Sequence, residues 1–353
     1  MKATQSLPER ACSVTTGSMN APALAPSVTA DLTGLRTLVA EDLARVNQVI
    51  IDHGHSSIGL INDLTSHIVA AGGKRLRPSL TIAAAKLCGY EGMRHVKLAA
   101  CVEFIHTATL LHDDVVDASD LRRGAATANA LWGNKSSVLV GDFLLSRAFQ
   151  LMVADGSLDV LKILSDAAAI ISAGEVHQLM VSHDLAITQS VYEEVISAKT
   201  AALFAAACEL GAVVSNKLEW REALRSYGQN LGMAFQVVDD ALDYQATEAE
   251  IGKAIGDDFR DGKVTLPVIF AYASANEAER GFWQHALEHG ETIDAETLRR
   301  AKELMAKHDA FSKTIEVARG YAAKACAALS IMPESAIKQT LLDAAYFAVE
   351  RSH

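Results

Sequence analysis

The chain has 353 residues, half of them hydrophobic, with 43 acidic against 32 basic side chains and a formal net charge of −11. That balance argues against a nucleic-acid partner, because a phosphate backbone demands a basic face. It leaves room for a local basic cluster that takes a phosphorylated small molecule. Aromatic residues make up only 6%, so the core must be built mostly from Ala, Leu, Val and Ile.

Residues 1–30 are poor in charge and rich in Ser, Thr, Ala and Pro, with Lys2, Glu9 and Arg10 the charged exceptions. This composition favours a disordered tail over a transit peptide. Residues 31–353 then read as one all-α domain, a single large helical bundle. Three of the six prolines fall within the first 26 residues, leaving long stretches free to be helical. Ala-rich stretches at 81–85 and 201–207 point the same way, since Ala loses no side-chain entropy in a helix.

Leu35, Leu38, Val39, Leu43, Val46 and Ile50 give 31–54 a helical period. A second helix over 56–71 stops at Gly72-Gly73. Pro78 fits the first turn of a third, which ends near Gly89. Longer helices follow at 93–117, 136–153, 158–182, 190–214, 219–244 and 264–276, with three more to the C-terminus. Ser190 and Glu193 have the spacing of a capping box for the helix from 190. Alternation of period two is nowhere sustained, so no sheet of consequence is predicted. No run of 18 apolar residues is free of polar breaks, so no transmembrane span is expected. The five cysteines, Cys12, Cys88, Cys101, Cys208 and Cys326, show no CxxC spacing. Cys88, Cys101 and Cys208 lie in apolar helical context and read as buried thiols of a reducing, cytoplasmic compartment.

Two acidic motifs stand out. Asp113-Asp114-Val115-Val116-Asp117 and Asp239-Asp240-Ala241-Leu242-Asp243 share DDxxD spacing and each follows an apolar stretch. On a helix, residues four apart share a face. Like charges there destabilise a bare helix, so a cation must compensate. One such motif could be a solvated surface patch; two in apolar helices are hard to read that way. Mg²⁺ prefers oxygen ligands, few carboxylates and substrate phosphates, and facing clusters could hold a diphosphate through bridging ions and polarise it as a leaving group.

Basic residues match this demand. Lys74, Arg75 and Arg77 follow Gly72-Gly73, Arg122-Arg123 lie five residues past the first motif, and Lys253 and Lys263 flank Asp257-Asp258. Arg grips phosphate bidentately and Lys as a point charge. Lys199-Thr200 sits between Ala-rich flanks, an odd place for a charge without a partner. His106 precedes Asp113 by about two turns and is either a phosphate donor or a core histidine. No glycine-rich nucleotide motif is present.

Together, Gly72-Gly73-Lys74-Arg75-Leu76-Arg77-Pro78, the first DDxxD with Arg122-Arg123-Gly124, Gly141-Asp142, Ala198-Lys199-Thr200, Phe235-Gln236 with the second DDxxD, and Gly256-Asp257-Asp258 through Gly262-Lys263 resemble the trans-polyprenyl diphosphate synthase family over about 35–350. Within it the chain looks most like bacterial octaprenyl and decaprenyl diphosphate synthases, which make quinone side chains such as that of ubiquinone. The resemblance implies an isoprenoid synthase fold with a central apolar cavity, a homodimer, and Mg²⁺, three ions per site with substrate bound. Carried over, Lys74, Arg77, His106 and Arg123 would bind isopentenyl diphosphate. Arg122, Lys199, Thr200, Gln236, Lys253 and Lys263 would hold the allylic diphosphate, farnesyl or similar. Asp113, Asp117 and Asp239 would carry the metal, with Asp114, Asp240 and Asp243 in support. Catalysis would rest on Asp113, Asp117, Asp239, Lys199 and Lys263. Ala125 departs from the pattern, since many relatives have Lys there, and only a local effect is expected.

The resemblance also implies that a bulky aromatic five residues before the first Asp stops short products. That position is Ala108, beside Thr109, with Ile105, Phe104 and Cys101 farther along. Small residues there predict a long product, octaprenyl to decaprenyl. The alternatives are a short-chain farnesyl or geranylgeranyl synthase, a terpene cyclase, and an inactive subunit of a heteromeric synthase. Both Asp motifs are retained, which speaks against the last two. A greasy product makes peripheral membrane contact plausible without an anchor.

Overall fold

The computed structural model describes residues 32–70, 73–122, 124–245, 256–288 and 293–350. The tail over 1–30, Gly72, Arg123 and Lys253 lie outside the described residues.

Helices dominate, and their order follows the periodicity closely. They are α1 (Thr33–Gly54), α2 (Gly59–Ala70), α3 (Leu76–Leu87), α4 (Arg94–Val116), α5 (Ala128–Trp132), α6 (Asn134–Asp155) and α7 (Leu158–Val181). Then come α8 (Gln189–Ile196), α9 (Ala202–Val214), α10 (Arg221–Gln245), α11 (Asp257–Arg260) and α12 (Leu266–Ala273). The last are α13 (Glu277–Trp283), α14 (Ala295–Lys307), α15 (Ala310–Ala328) and α16 (Ala336–Glu350). The only extended pairing among the described residues is a hairpin of β1 (Leu121–Arg122) with β2 (Ala125–Ala126).

Three expectations need correction. The predicted helix over 190–214 is interrupted by a π-turn at Ser197–Ala201, which separates α8 from α9. The cap of α8 is Thr188, whose hydroxyl accepts from the Val191 amide. Ser190 lies inside the helix and faces Glu194. The capping box occurs instead at Asn276 and Glu279, where it starts α13. That early restart gives four helices after residue 276 rather than three.

α4 packs on α6, α3 on α9, and α10 lies between α9 and α15. The main core joins α1, α3, α4, α6 and α9, and is rich in Ala and Leu as the composition demands. A second core surrounds Trp283, Phe259 and Tyr244, and a third gathers Met233, Val237 and Val238 of α10. α6 and the continuous run from α8 through α9 are long and apolar enough to cross a membrane. The second is mostly buried within the bundle. Cys88, Cys101 and Cys208 are buried free thiols, and burial pushes the Cys88 thiol up to about 12.

Candidate active site

The first acidic motif lies where α4 runs out. Asp117 is the C-cap residue, and its amide donates to the Asp113 carbonyl at 2.8 Å. This places Asp113 and Asp117 on one side of the last turn, both half-buried, with Asp114 turned inward. The hairpin that follows brings Arg122 back onto Asp114, its Nε donating to Oδ1 at 2.7 Å. Gly124 makes the reversal possible with φ +76°. Ala125 pairs with Arg122 across this hairpin. Burial pushes the Asp113 carboxyl up to about 7; Lys199 opposes the rise, and Glu175 and Asp117 add to it.

The second motif lies within α10 and is used differently. Asp239 is exposed, whereas Asp240 and Asp243 are buried. Both Asp240 oxygens are engaged, Oδ2 by the Tyr192 hydroxyl at 2.6 Å and Oδ1 by Gln236 Nε2 at 2.7 Å. Burial pushes Asp240 up to about 8, helped by Asp258 and opposed by its two donors. Asp243 accepts from the Asp258 amide at 3.2 Å and so ties α10 to the turn that opens α11.

Lys263 ties the first motif to the carboxylates of α11 and the turn after it. Its Nζ lies 3.1 Å from Asp117 Oδ2, 2.9 Å from Asp261 and 3.5 Å from Asp258. Burial alone would lower its pKa; the three carboxylates outweigh this and hold the ammonium charged. Gly262, at φ +70°, sets the approach, and a Cβ there would strike the His183 ring at 2.0 Å. His183 in turn donates its amide to the Gly262 carbonyl.

Lys199 has the partner its odd position called for. In the π-turn its Nζ donates to Glu175 Oε2 at 2.7 Å. π-turns insert one residue into a helix and are frequent at functional sites. Gly174 permits the contact, because a Cβ would lie 2.9 Å from the Lys199 amide. Thr200 donates to Gln236 Oε1 at 2.8 Å. Lys199, Thr200, Gln236, Asp240 and Lys263 line one cleft of about 600 Å³ with Gln178 and Tyr192.

A second cleft of about 580 Å³ lies on the other side of α4, lined by Arg75, Glu103, His106, Asp114 and Arg122. Arg77 and His106 meet at its edge, Nη1 to Nε2, at 3.2 Å. Arg77 can only donate, so Nε2 accepts and the histidine must use Nδ1 to donate elsewhere. The Arg77 guanidinium also stacks on Phe204, 4.3 Å from its centroid. Lys74 is exposed just before α3. Arg75 is ion-paired with buried Glu103 and takes a left-handed backbone conformation, φ 45°. Ala108, Ile105 and Phe104 are buried on α4, and half-buried Thr109 donates to the His106 carbonyl. None of these four lines either cleft.

The structure therefore sets Asp117 against Lys263 and Asp113 within electrostatic reach of Lys199, the two lysines lining one cleft with Thr200, Gln236 and Asp240, and places His106 and Arg122 on the other, with Arg77 at its edge. Glu175, Tyr192 and Glu103 escaped the sequence reading. Glu175 had a signal: a buried lysine needs a carboxylate, and Gly174 beside it marks a close helix approach.

Residues 59–328 match the polyprenyl synthetase family. The chain belongs to that family. It is thus a prenyltransferase. The octaprenyl diphosphate synthase of Escherichia coli is 44% identical over 91% of this chain and 99% of its own. A polyprenyl synthase of Caulobacter crescentus, solved with calcium and isoprenyl diphosphate, is 50% identical with a TM-score of 0.90, covering 93% of this chain and all of its own. A decaprenyl diphosphate synthase of Rhodobacter capsulatus is also 50% identical, with a TM-score of 0.86, over 92% of this chain and 100% of its own.

The residues of this polyprenyl synthetase fit a hard divalent cation. Asp113 is a carboxyl pressed toward protonation by burial and by Glu175 and Asp117, a strain that a cation relieves. Among the described residues no three His, Cys, Asp or Glu side chains converge on one point. An ion here would take one or two carboxylates and complete its shell with phosphate oxygens and water, as Mg²⁺ usually does.

Proposed function

We propose that the protein is a Mg²⁺-dependent, long-chain all-trans-polyprenyl diphosphate synthase. It condenses isopentenyl diphosphate onto an allylic diphosphate, farnesyl or similar, to give octaprenyl to decaprenyl products for a quinone side chain. The observation that carries this reading is Lys263, which meets Asp117 of the first acidic motif and Asp258, whose amide in turn donates to Asp243 of the second, so that both motifs are tied to one charged cluster. Relatives named as octaprenyl and decaprenyl diphosphate synthases support the long product.

Asp113, Asp117 and Asp239 would hold the Mg²⁺ ions, three when substrate is bound, and these supply charge to the departing diphosphate. Asp114, Asp240 and Asp243 support them from behind. Lys199 and Lys263 exchange their carboxylate partners for phosphate oxygens as the diphosphate arrives, with Thr200 and Gln236 beside them in the cleft; Lys253 and Arg122, which lines the other cleft, are proposed as further groups for the allylic diphosphate. Preorganised charge of this kind is usually the largest catalytic contribution. Lys74, Arg77, His106 and Arg123 hold isopentenyl diphosphate, so that its double bond faces the allylic carbon, and this orientation lowers the barrier further. The bond from the allylic carbon to diphosphate oxygen breaks, a carbon–carbon bond forms, and a proton is lost to the released diphosphate. The apolar interior excludes water from the cationic carbon.

The growing chain runs along α4, past Ala108 and Thr109 toward Ile105 and Phe104. A homodimer is proposed, supported by the exposed apolar side chains Leu139 and Val153 of α6 and Leu158, Leu179 and Met180 of α7; such patches mark interaction sites. We place the enzyme in the cytoplasm, with membrane contact limited to product release.

The test is elongation by the purified protein of farnesyl diphosphate with labelled isopentenyl diphosphate and Mg²⁺, read as chain length after dephosphorylation. Products of eight to ten units, abolished by EDTA, are expected. No incorporation with several primers would overturn the reading.

A further inference from the structure

One buried side chain in the allylic cleft is not used by the chemistry above. Tyr192, on α8, is 4% exposed, and its hydroxyl donates to Asp240 across the gap between α8 and α10. From Asp240 the contacts continue to the cleft. Gln236 donates its amide nitrogen to the other Asp240 oxygen, one turn away on α10. That choice turns the Gln236 carbonyl outward, where it accepts from Thr200 in the π-turn. When Asp240 is ionised it only accepts, a phenol and an amide nitrogen can donate, and a carbonyl only accepts. The donors and acceptors therefore fit one arrangement: Tyr192 to Asp240, Gln236 to Asp240, Thr200 to Gln236.

We propose that Tyr192 is a positioning residue for the allylic substrate: its hydroxyl locks Asp240, and through Asp240 fixes which way Gln236 and Thr200 face. In this reading Asp240 orients protein groups and is not a metal ligand, since both its oxygens are already engaged and it is 3% exposed. The chain Tyr192–Asp240–Gln236–Thr200 spans α8, the π-turn and α10, so it also holds the π-turn against α10. Lys199 sits in the same turn, one residue before Thr200. Losing the hydroxyl frees one Asp240 oxygen, lets the Gln236 amide rotate, and releases Thr200. The isopentenyl side has none of these groups: its cleft is lined from α2, the start of α3, α4 and the hairpin region.

The inference rests on the proposed synthase activity, so wild-type elongation is measured first. If wild type is inactive, that activity fails; if wild type is active, the variants below judge Tyr192 alone. Tyr192→Phe keeps the ring and removes the hydroxyl. It is expected to raise the KM for farnesyl diphosphate by about 10-fold, within the roughly 10–100-fold seen when groups orienting a ligand are removed. The KM for isopentenyl diphosphate and the Mg²⁺ concentration for half-maximal rate should stay within about twofold. Asp240→Asn should show the same selective rise, and the double variant should be no worse than the poorer single one, as residues acting through one another are not additive. Thermal melting of each variant reports folding. If Tyr192→Phe does not fold, Asp240→Asn carries the same test. Equal effects on both substrates, no effect on the farnesyl diphosphate KM, additivity in the double variant, or a shifted Mg²⁺ requirement in Asp240→Asn would each overturn the proposal.

Discussion

The two acidic motifs share a five-residue pattern and divide the work differently. At the end of α4, the first and third carboxylates are half-buried, and the middle one is buried and held by Arg122. Within α10, Asp239 is exposed and the other two are buried supports, one for the Tyr192 and Gln236 contacts and one for the turn before α11. The difference is one of position in the helix. α4 stops at Val116, so Asp117 sits in a cap and swings toward Lys263. α10 continues past its motif to Gln245, and its third Asp stays against neighbouring structure. Identical spacing therefore does not mean identical function; the helix end decides it.

The largest effect that sharpens this comparison is loss of a carboxylate proposed to hold the metal. Asp113→Ala and Asp239→Ala should each lower kcat by at least about 10³-fold, comparable with losing a main electrostatic group of an active site. Asp114→Asn should cost less, about 10–100-fold, because it acts by orienting Arg122. Steady-state kinetics over the series would break the comparison if all three fell equally.

Next is the response to pH and metal. Asp113 and Asp240 are raised to about 7 and about 8 in the folded protein, above the ~3.9 of an unfolded Asp. The folded state thus holds these protons more tightly. Their contribution to stability is fully present below about pH 4 and is lost as pH rises through 7 and 8. The metal-free protein should melt at progressively lower temperature from pH 5 to pH 8. Mg²⁺ with inorganic pyrophosphate should restore Tm most at pH 8. A flat metal-free profile would show that these carboxyls are not strained.

The smallest effect contrasts the residues five before each motif, both alanines. Ala108→Phe on α4 should shorten the product with modest loss of rate. Ala234→Phe on α10 is fully buried in another core and should cost about 1–3 kcal/mol of stability by overpacking without changing product length. Chain length by chromatography and Tm by calorimetry separate the two.

Much of this was legible in the sequence. The long helices declared themselves through apolar periodicity and the scarcity of proline, and both DDxxD motifs could be placed on helices. What escaped had local physical reasons. The π-turn at Ser197–Ala201 adds one residue to a run so rich in Ala that a shift of face leaves no trace in the pattern. Glu175 lies on a helix with exposed neighbours Val176 and Leu179, so within its own segment only Gly174 hints at a close approach. Tyr192 looked like one more apolar position of α8. The unequal roles of the two motifs depend on where each helix ends, and that boundary is the feature periodicity fixes least well.

The π-turn carries one more consequence. α8 and α9 would form a single regular helix if one residue between Ile196 and Ala202 were missing, since each α-helical residue turns the chain by about 100°. Deleting one residue would repair the helix and rotate α9 by that amount relative to α8. Tyr192 and Thr200 could then no longer meet α10 together. The register of the whole allylic cleft is thus counted from a single surplus residue.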